Sequence, residues 1–296
     1  MQSNTSKLSS YQHRMHKVFN YIHAHLSEDL CLDELSQVAD FSRYHFHRQF
    51  AAYIGINVFK YIQLMRMKRA SHLLAFRKEQ KILDIALCAG FDSSEAFARA
   101  FKKLFSQTPT EFRKNADWQS WRQHYQFLNS EGMYAMQTSN QKRQINIVQF
   151  PEMRVATLQH RRSPELLMDS IKTFIKWRKE NRLSPDMSAT YNIIYDDPAA
   201  TESEKYQLDL CAAIKNDIDE NIYGIVESAI PAGRCARLRH LGPDNHLGDS
   251  IEYLYTHWLP ASGEELRDFP CFLHRVDLFP DVPEHEIITD IYLPLL

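Results

Sequence analysis

The stretch that decides the fold is 82–114, ILDIALCAGFDSSEAFARAFKKLFSQTPTEFRK. It predicts a short helix, a tight turn at Gly90 and a second helix. Glycine permits the positive φ that the turn needs, and the small Ala86 lets the second helix pack closely across the first. The second helix has one apolar and one polar side, so its polar side is free to enter a DNA major groove. Arg99 lies on that side, where its guanidinium can donate two hydrogen bonds to guanine.

An earlier copy of this pattern occupies 31–55, CLDELSQVADFSRYHFHRQFAAYIG. Apolar and arginine positions recur at an offset of 50 before the turn and 51 after it: Leu35, Ala39 and Phe41 match Ile85, Ala89 and Phe91, and Phe46, Arg48 and Phe50 match Phe97, Arg99 and Phe101. The sequence therefore predicts two successive helix-turn-helix units.

The residues between the two units, 57–76, have apolar positions at helical spacing. A helix of about 19 residues spans roughly 28 Å at 1.5 Å per residue. Successive major-groove faces on one side of B-DNA are about 34 Å apart. A single chain can therefore place two recognition helices in adjacent grooves.

Composition limits the class of protein. The 296 residues are 44% hydrophobic and 24% charged. Residues 1–125 hold 18 Lys and Arg against 11 Asp and Glu, a net charge of +7, and the remainder holds 17 against 26, a net charge of −9. Only the first part suits a polyanion. Residues 1–10 are polar and lack the apolar region typical of a signal peptide, and no apolar run reaches the roughly 20 residues of a membrane helix, so we expect a cytoplasmic protein without membrane contact.

Neither the cysteines nor the histidines predict a metal or a cofactor. The five cysteines are scattered and never form a CxxC pair, which favours buried thiols over disulfides or zinc. His13 and His16 are three residues apart, but no acidic or cysteine ligands accompany them, which favours a solvated helix face.

Residues 32–114 resemble the DNA-binding domain of AraC/XylS-type bacterial transcription regulators, and the second unit carries the family's signature. The resemblance implies base-reading positions on both recognition helices, with Arg43 and Lys102 beside them: Tyr44, His47, Arg48, Ser94, Glu95, Ala98 and Arg99. The sequence departs from the family at Ser106 and Asp40, where glycine is usual, and at Val58, where proline is usual. Because Asp tolerates the left-handed region better than most residues, we expect a slightly altered first turn.

Several of these residues have a second interpretation. Tyr44 and His47 can contact phosphate alone, and Arg48 can form an ion pair within the protein. Glu95 can serve the helix dipole instead of accepting a hydrogen bond from a cytosine amine.

After a polar segment, the period of the apolar residues changes at Ile145. Strand, helix and strand patterns then occur twice, which predicts an antiparallel α+β domain of two β-α-β-β repeats with a groove between the halves. The fold class is thus multidomain: an all-α tandem helix-turn-helix domain at 10–116, a connecting segment at 117–143 that includes an exposed linker at 129–141, and an α+β domain at 144–296.

The second domain resembles the GyrI-like effector-binding domain through YQLDLC at 206–211, IPAGR at 230–234, YTHWLPASG at 255–263 and TDIYLPL at 289–295. The order of the two domains is similar to that of Rob-type regulators. The resemblance implies that a central pocket binds an apolar, often cationic or amphipathic, small molecule.

A carboxylate expected by that resemblance is missing, because Leu273 stands where the family usually has glutamate. Without it, a neutral apolar or anionic amphipathic ligand is favoured over a cation, unless Glu227 or Glu252 supplies the charge. The candidate effector-binding residues are Leu273 and five aromatics, although aromatics at such spacing more often belong to the core than to a ligand site: Trp177, Tyr191, Tyr195, Trp258 and Phe272.

These patterns favour a transcription regulator that is not an enzyme. Its expected partners are double-stranded promoter DNA, a small-molecule effector and, for an activator, RNA polymerase, with the protein a monomer or homodimer. Two alternatives concern the second domain alone. It can be a small-molecule hydrolase, although the sequence shows no nucleophile, base and orienting group together, or a protein-interaction module.

Overall fold

The computed structural model describes residues 2–125, 144–197 and 201–296. The chain forms two compact units. The helical unit comprises Met1–Gln141 and Phe279–His285, and the sheet unit comprises Lys142–Leu278 and Glu286–Leu296. The predicted linker at 129–141 lies outside the described residues.

The described helices of the helical unit follow the predicted pattern of two helix-turn-helix units. They are α1 Gln2–Ala24, α2 Leu32–Val38, α3 Arg43–Ile54, α4 Val58–Phe76, α5 Ile82–Cys88, α6 Ser94–Phe105, α7 Pro109–Lys114 and α8 Trp118–Gln123. The connecting helix α4 has 19 residues, the length that the sequence predicts. Asn57 caps its N-terminus by accepting a hydrogen bond from the Lys60 amide at 2.8 Å.

The core of the helical unit is built mainly from aromatic side chains. Phe46 and Phe50 of α3 and Phe97 and Phe101 of α6 are fully buried, as the apolar period of both helices predicts. Burying such rings supplies much of the stability of a small helical domain.

Two further segments complete this unit. Trp118 and Trp121 of α8 are buried, although they belong to the predicted connecting segment. The segment Phe279–His285 lies in sequence between two parts of the sheet unit but packs in the helical unit: the rings of Phe279 and His72 meet edge-on at 4.6 Å between centroids. Glu284 forms an ion pair with Lys68 at 2.7 Å.

The described residues of the sheet unit form eight strands and two crossover helices. The elements are β1 Ile145–Phe150, β2 Met153–Arg161, α9 Leu167–Glu180, β3 Thr190–Ile194, β4 Gln207–Ala213, β5 Ile225–Ile230, β6 Gly233–Leu241, α10 Leu247–Tyr253, α11 Leu259–Ser262, β7 Cys271–Arg275 and β8 Ile288–Pro294. A π-helical turn, Leu254–Trp258, joins α10 to α11.

The repeat differs from the predicted β-α-β-β order, because two strands precede each crossover helix. The sheet order is β1-β6-β8-β7-β3-β4-β2-β5, with antiparallel pairing throughout. The first strand of each half pairs with the second strand of the other half: β1 with β6 and β5 with β2. The two halves therefore share one continuous sheet with a pseudo-twofold axis between β7 and β3.

Side chains on the two faces of this sheet form separate clusters, because successive strand residues point to opposite sides. On one face, α9 and α10 each cover a cluster, around Phe174 and Leu254 respectively. The opposite face carries an aromatic cluster around Phe272. No helix among the described residues is long and apolar enough to cross a membrane.

Candidate nucleic-acid interface and ligand site

The turns of the two helix-turn-helix units have the same backbone hydrogen bonds. In the first unit, the amide of Phe41 donates to the carbonyl of Ser36 at 3.0 Å, and in the second the amide of Phe91 donates to that of Ala86 at 3.0 Å. Asp40 and Gly90 occupy equivalent places in the left-handed region, with φ of 52° and 78°. The first turn therefore forms at Asp40, with the same backbone hydrogen bond as the turn at Gly90.

Helix α3 turns its apolar residues inward and its predicted DNA-contacting residues outward. Phe46 and Phe50 are buried, whereas Arg43, His47 and Arg48 are exposed. Tyr44 is 87% exposed. The four predicted residues of this helix thus lie on its solvent face.

Helix α6 repeats the arrangement at an offset of 51. Glu95, Arg99 and Lys102 are exposed, and Ser94 and Ala98 are half-buried beside them. The helix begins at a capped end, since the Ser93 hydroxyl accepts a hydrogen bond from the Ala96 amide at 3.2 Å. This fixed start sets the positions from which the helix presents its side chains.

The three arginines of these faces have different surroundings. Arg43 pairs with Asp33 at 2.9 Å, with both side chains more than half exposed, so the pair adds little stability. Within the part of the chain that the structure describes, Arg48 and Arg99 have no ion pair or hydrogen bond from their guanidinium groups. Both are therefore available to an external acceptor.

In the sheet unit, two of the predicted effector-binding residues lie together. Tyr191 on β3 and Phe272 on β7 belong to one cluster with Phe150 and Tyr292. The Phe272 and Tyr292 rings are stacked at 5.0 Å and 4°, and Phe150 meets Phe272 edge-on at 4.8 Å. Phe150 and Tyr292 were not predicted as candidates, because strand parity alone does not show which face of a sheet carries a ligand.

Of the other four candidates, three lie on the opposite face of the sheet, and the fourth, Tyr195, lies beside Asp209. Trp177 is a buried residue of α9 itself, and Leu273 and Trp258 pack in the cluster beneath α10. Leu273 and Phe272 are neighbours in sequence and so face opposite sides of the sheet. Tyr195 is 44% exposed, and its hydroxyl donates to Asp209 at 3.0 Å. Burial, with a smaller contribution from Asp209, raises the pKa of Tyr195 to about 12.

Two buried carboxylates lie on the same face as the aromatic cluster. Asp209 on β4 and Asp290 on β8 are each 3% exposed and occupy equivalent positions of the two halves. Arg161 pairs with Asp209 at 2.7 Å, and Arg239 donates two hydrogen bonds to Asp290 at 2.7 and 2.8 Å. The signal for them in the sequence is a lone acid inside each apolar strand, QLDLCAA and ITDIYLP.

The two glutamates considered as replacements lie elsewhere. Glu227 is on the edge strand β5, where Arg154 donates to it at 2.5 and 2.8 Å. Glu252 is exposed on α10. Beside the aromatic cluster, the acids are instead Asp209 and Asp290.

A histidine-serine pair occurs once in each half of the sheet unit. Nδ1 of His160 lies 2.9 Å from the Ser170 hydroxyl, and Nδ1 of His240 lies 2.9 Å from that of Ser250. The other ring nitrogen of His160 bonds to the Ser163 carbonyl at 3.2 Å, and burial lowers the pKa of both histidines. All four side chains are buried, so each pair fixes a crossover helix to its strand and offers no exposed nucleophile.

Two histidines near the N-terminus have hydrogen-bonding partners within the protein. His16 lies 3.1 Å from the Asn20 amide nitrogen, and His25 contacts the Tyr21 carbonyl at 2.8 Å. No group of three potential metal ligands occurs within residues 2–125, 144–197 and 201–296.

Comparisons with known proteins match both parts of the chain. A family model described as a GyrI-like small molecule binding domain matches residues 143–296, and one described as a helix-turn-helix domain matches residues 35–115. A probable transcriptional regulator of Escherichia coli K12, YgiV, is 41% identical over 152 residues, which are 51% of this chain and 95% of YgiV.

Two further similarities concern parts of the chain. The transcriptional regulator Rob of Salmonella typhimurium LT2 is 38% identical over 98 residues, 33% of this chain and 34% of Rob. The crystal structure of the EcmrR C-terminal domain aligns with 53% of this chain and 99% of its own, at 20% identity and a TM-score of 0.44.

Proposed function

Because the chain belongs to the GyrI-like small-molecule-binding family and also carries a helix-turn-helix domain, we propose that it is a transcription regulator whose helical unit reads promoter DNA under the control of an effector bound by its sheet unit. The observation that carries the proposal is the pair Arg48 and Arg99. They are exposed, without protein partners among the described residues, and at equivalent positions of two recognition helices.

In this proposal, Arg48 and Arg99 read base edges, because a guanidinium donates in a bidentate way to guanine. Tyr44, His47 and Ser94 supply contacts to bases or phosphates beside them. Arg43 and Lys102 provide phosphate contacts that hold the helices in register without reading sequence. Glu95 at the start of α6 accepts a hydrogen bond from a cytosine amine.

The effector proposed for the sheet unit is an apolar or amphipathic molecule held by the cluster of Phe150, Tyr191, Phe272 and Tyr292; because these rings are buried, the ligand enters only as they move apart. Aromatic faces bind flat apolar groups by stacking. Asp209 and Asp290 are already paired with arginines, so this face does not require a cationic ligand to neutralise it. The paired charges suit polar ends on an otherwise apolar effector.

We propose that effector binding reaches the helical unit through the chain itself. Strands β7 and β8 carry Phe272 and Tyr292, and the segment that joins these strands includes Phe279–His285 of the helical unit. A change in the pairing of β7 and β8 therefore acts on residues that pack beside α4. The remaining partners, RNA polymerase for an activator and a second copy of the chain for a homodimer, belong to the proposal as well.

Fluorescence anisotropy on the full chain tests the DNA-binding part. A duplex from upstream of the protein's own gene is compared with a random duplex at two salt concentrations. Specific binding leaves a difference in Kd between the duplexes that persists as salt rises. Arg48→Ala and Arg99→Ala should each lose about 1–3 kcal/mol on the specific duplex, or roughly fivefold to 150-fold in Kd.

Lys103→Ala is the matched control, because Lys103 is an exposed cation of α6 outside the predicted base-reading set. It should weaken binding to both duplexes alike and reduce the salt slope by about one. Unchanged selectivity in both arginine variants would remove the assignment of base reading to these residues.

A further inference from the structure

The internal repeat of the helical unit is longer than the helix-turn-helix motif. Core residues of α1 recur in α4 at an offset of 52: Met15, Val18 and Ile22 match Met67, Ala70 and Leu74, and all six are buried. The repeating element is therefore a group of three helices, α1–α2–α3 and then α4–α5–α6. Each group begins with a helix that packs beneath its own helix-turn-helix.

The same offset of 52 relates two arginines that lie against the turns. In the first group, Nη1 of Arg14 donates to the Asp40 carbonyl at 3.1 Å, and its guanidinium carbon stands 5.2 Å from the Phe41 ring centroid. In the second group, the guanidinium of Arg66 fills the space beside Gly90. A Cβ atom built on Gly90 would lie 2.4 Å from Nη1 of Arg66.

Arg66 also makes contacts that Arg14 lacks among the described residues. Its Nε donates to the Leu26 carbonyl at 2.6 Å, and its Nη2 donates to the Glu28 carbonyl at 2.5 Å. Both carbonyls belong to the corner between α1 and α2, in the first three-helix group. One side chain on α4 thus joins the corner of the first group to the turn of the second.

We propose that Arg66 is a positioning residue that fixes the separation of the recognition helices α3 and α6, and with it the half-site spacing that the protein accepts. The inference rests on the proposed reading of two adjacent major grooves. A guanidinium suits this role, because its planar fork donates several hydrogen bonds in fixed directions. Arg14 braces a turn in the same manner, but its contacts stay within its own group.

The test uses the full chain and a duplex selected from a random library by the wild-type protein. Variants of this duplex carry one base pair more or one fewer between the two half-sites. One base pair turns a half-site by about 34° around the helix axis, since a turn holds about 10.5 base pairs. The wild type should therefore bind the altered duplexes about tenfold or more weakly, because two correctly spaced groove contacts are lost together.

Arg66→Gln should flatten this spacing preference to about threefold or less, because a planar but uncharged amide cannot reach both carbonyls and the turn. Arg66→Lys should give an intermediate preference, since its ammonium can donate to one carbonyl. Arg14→Gln is the matched control: it removes a bracing arginine of the same kind and should keep the wild-type spacing preference.

Gly90→Ala tests the brace from the other side, because its methyl group would displace the guanidinium while all donors remain. Gly90→Ala should shift or weaken the spacing preference. It serves as the second variant if Arg66→Gln fails to fold, a failure that far-ultraviolet circular dichroism detects. An unchanged preference in Arg66→Lys and Gly90→Ala, or an equal loss in Arg14→Gln, would overturn the proposal. If the wild type selects only a single half-site from the library, the proposed reading of two grooves is wrong. That result is distinct from a failure of the Arg66 proposal, which the variants test.

Discussion

The ion pair between Lys68 and Glu284 should be a large local contribution to the stability of α4. The two side chains are only 19% and 14% exposed, and the charged atoms are 2.7 Å apart. Burial alone raises the pKa of Glu284, but Lys68, with a smaller contribution from His23, outweighs it, and the pKa is lowered. The carboxylate is therefore charged in the folded protein at neutral pH.

Removing one partner leaves the other charge nearly buried without its counter-ion. Breaking a fully buried pair in this way costs about 3–5 kcal/mol. Because some water reaches both side chains, we expect Lys68→Met to lose about 3 kcal/mol at pH 7, at the lower end of that range. Glu284→Gln should lose about 2 kcal/mol, since the amide oxygen can still accept a hydrogen bond from the ammonium.

The double variant Lys68→Met/Glu284→Gln separates the energy of the charge pair from the energy with which the two aliphatic stems pack. It should recover most of the loss, because no buried charge remains, and the interaction energy should be about 3 kcal/mol. Amide hydrogen exchange along α4 in the full chain, followed by mass spectrometry, measures these local opening free energies. The reasoning is refuted if the losses of the two single variants simply add in the double variant. It is also refuted if the amides of α4 exchange in Lys68→Met as they do in the wild type.

Two further predictions concern the same unit. Ser106 ends α6 with a φ of 59°, and Gly55 ends α3 with a φ of 81°. In urea denaturation, Ser106→Gly should raise the free energy of unfolding by about 0.5–1 kcal/mol, and Gly55→Ser should lower it by a similar amount. Changes of the same sign in the two variants would contradict this backbone explanation. Burial lowers the pKa of His23 from 6.5 to about 4, so below pH 6.5 the unfolded chain takes up a proton that the folded one does not. The free energy of unfolding should therefore fall by up to about 3 kcal/mol between pH 6.5 and 4. Denaturation measured across that range should show a smaller fall in His23→Gln. An equal fall in His23→Gln and in the wild type would mean that His23 stays charged in the folded protein.

The helical unit could be predicted closely, because its signals are local. The spacing of Phe46, Phe50, Phe97 and Phe101 determines which sides of α3 and α6 are buried, and the structure buries all four. The family matches confirm the expected helix-turn-helix and GyrI-like resemblances. What local patterns do not contain is the position of Phe279–His285, because its partners on α4 lie about two hundred residues earlier in the chain.

The sheet unit shows why the ligand site was harder to predict. An apolar strand buried on both faces gives no alternation, so the period assigns neither Phe272 nor Leu273 to a face.

The pairing of β1 with β6 and of β5 with β2 decides which strand residues share a face of the sheet, and this exchange of strands between the halves has no local signal in the sequence.

The repeat of the two halves does have a signal in the sequence. Asp209 and Asp290 are 81 residues apart, just as β4 and β8 are, and an acid retained at the same place in two apolar strands needs a compensating charge. On β2 the residue paired directly with Asp209 is Gln159, and Arg161 lies two residues further along the strand. On β6, Arg239 is itself the residue paired with Asp290. The two halves thus meet the same electrostatic requirement with different residues, and for that reason the acids, not the arginines, are the part of this site that a repeat can reveal.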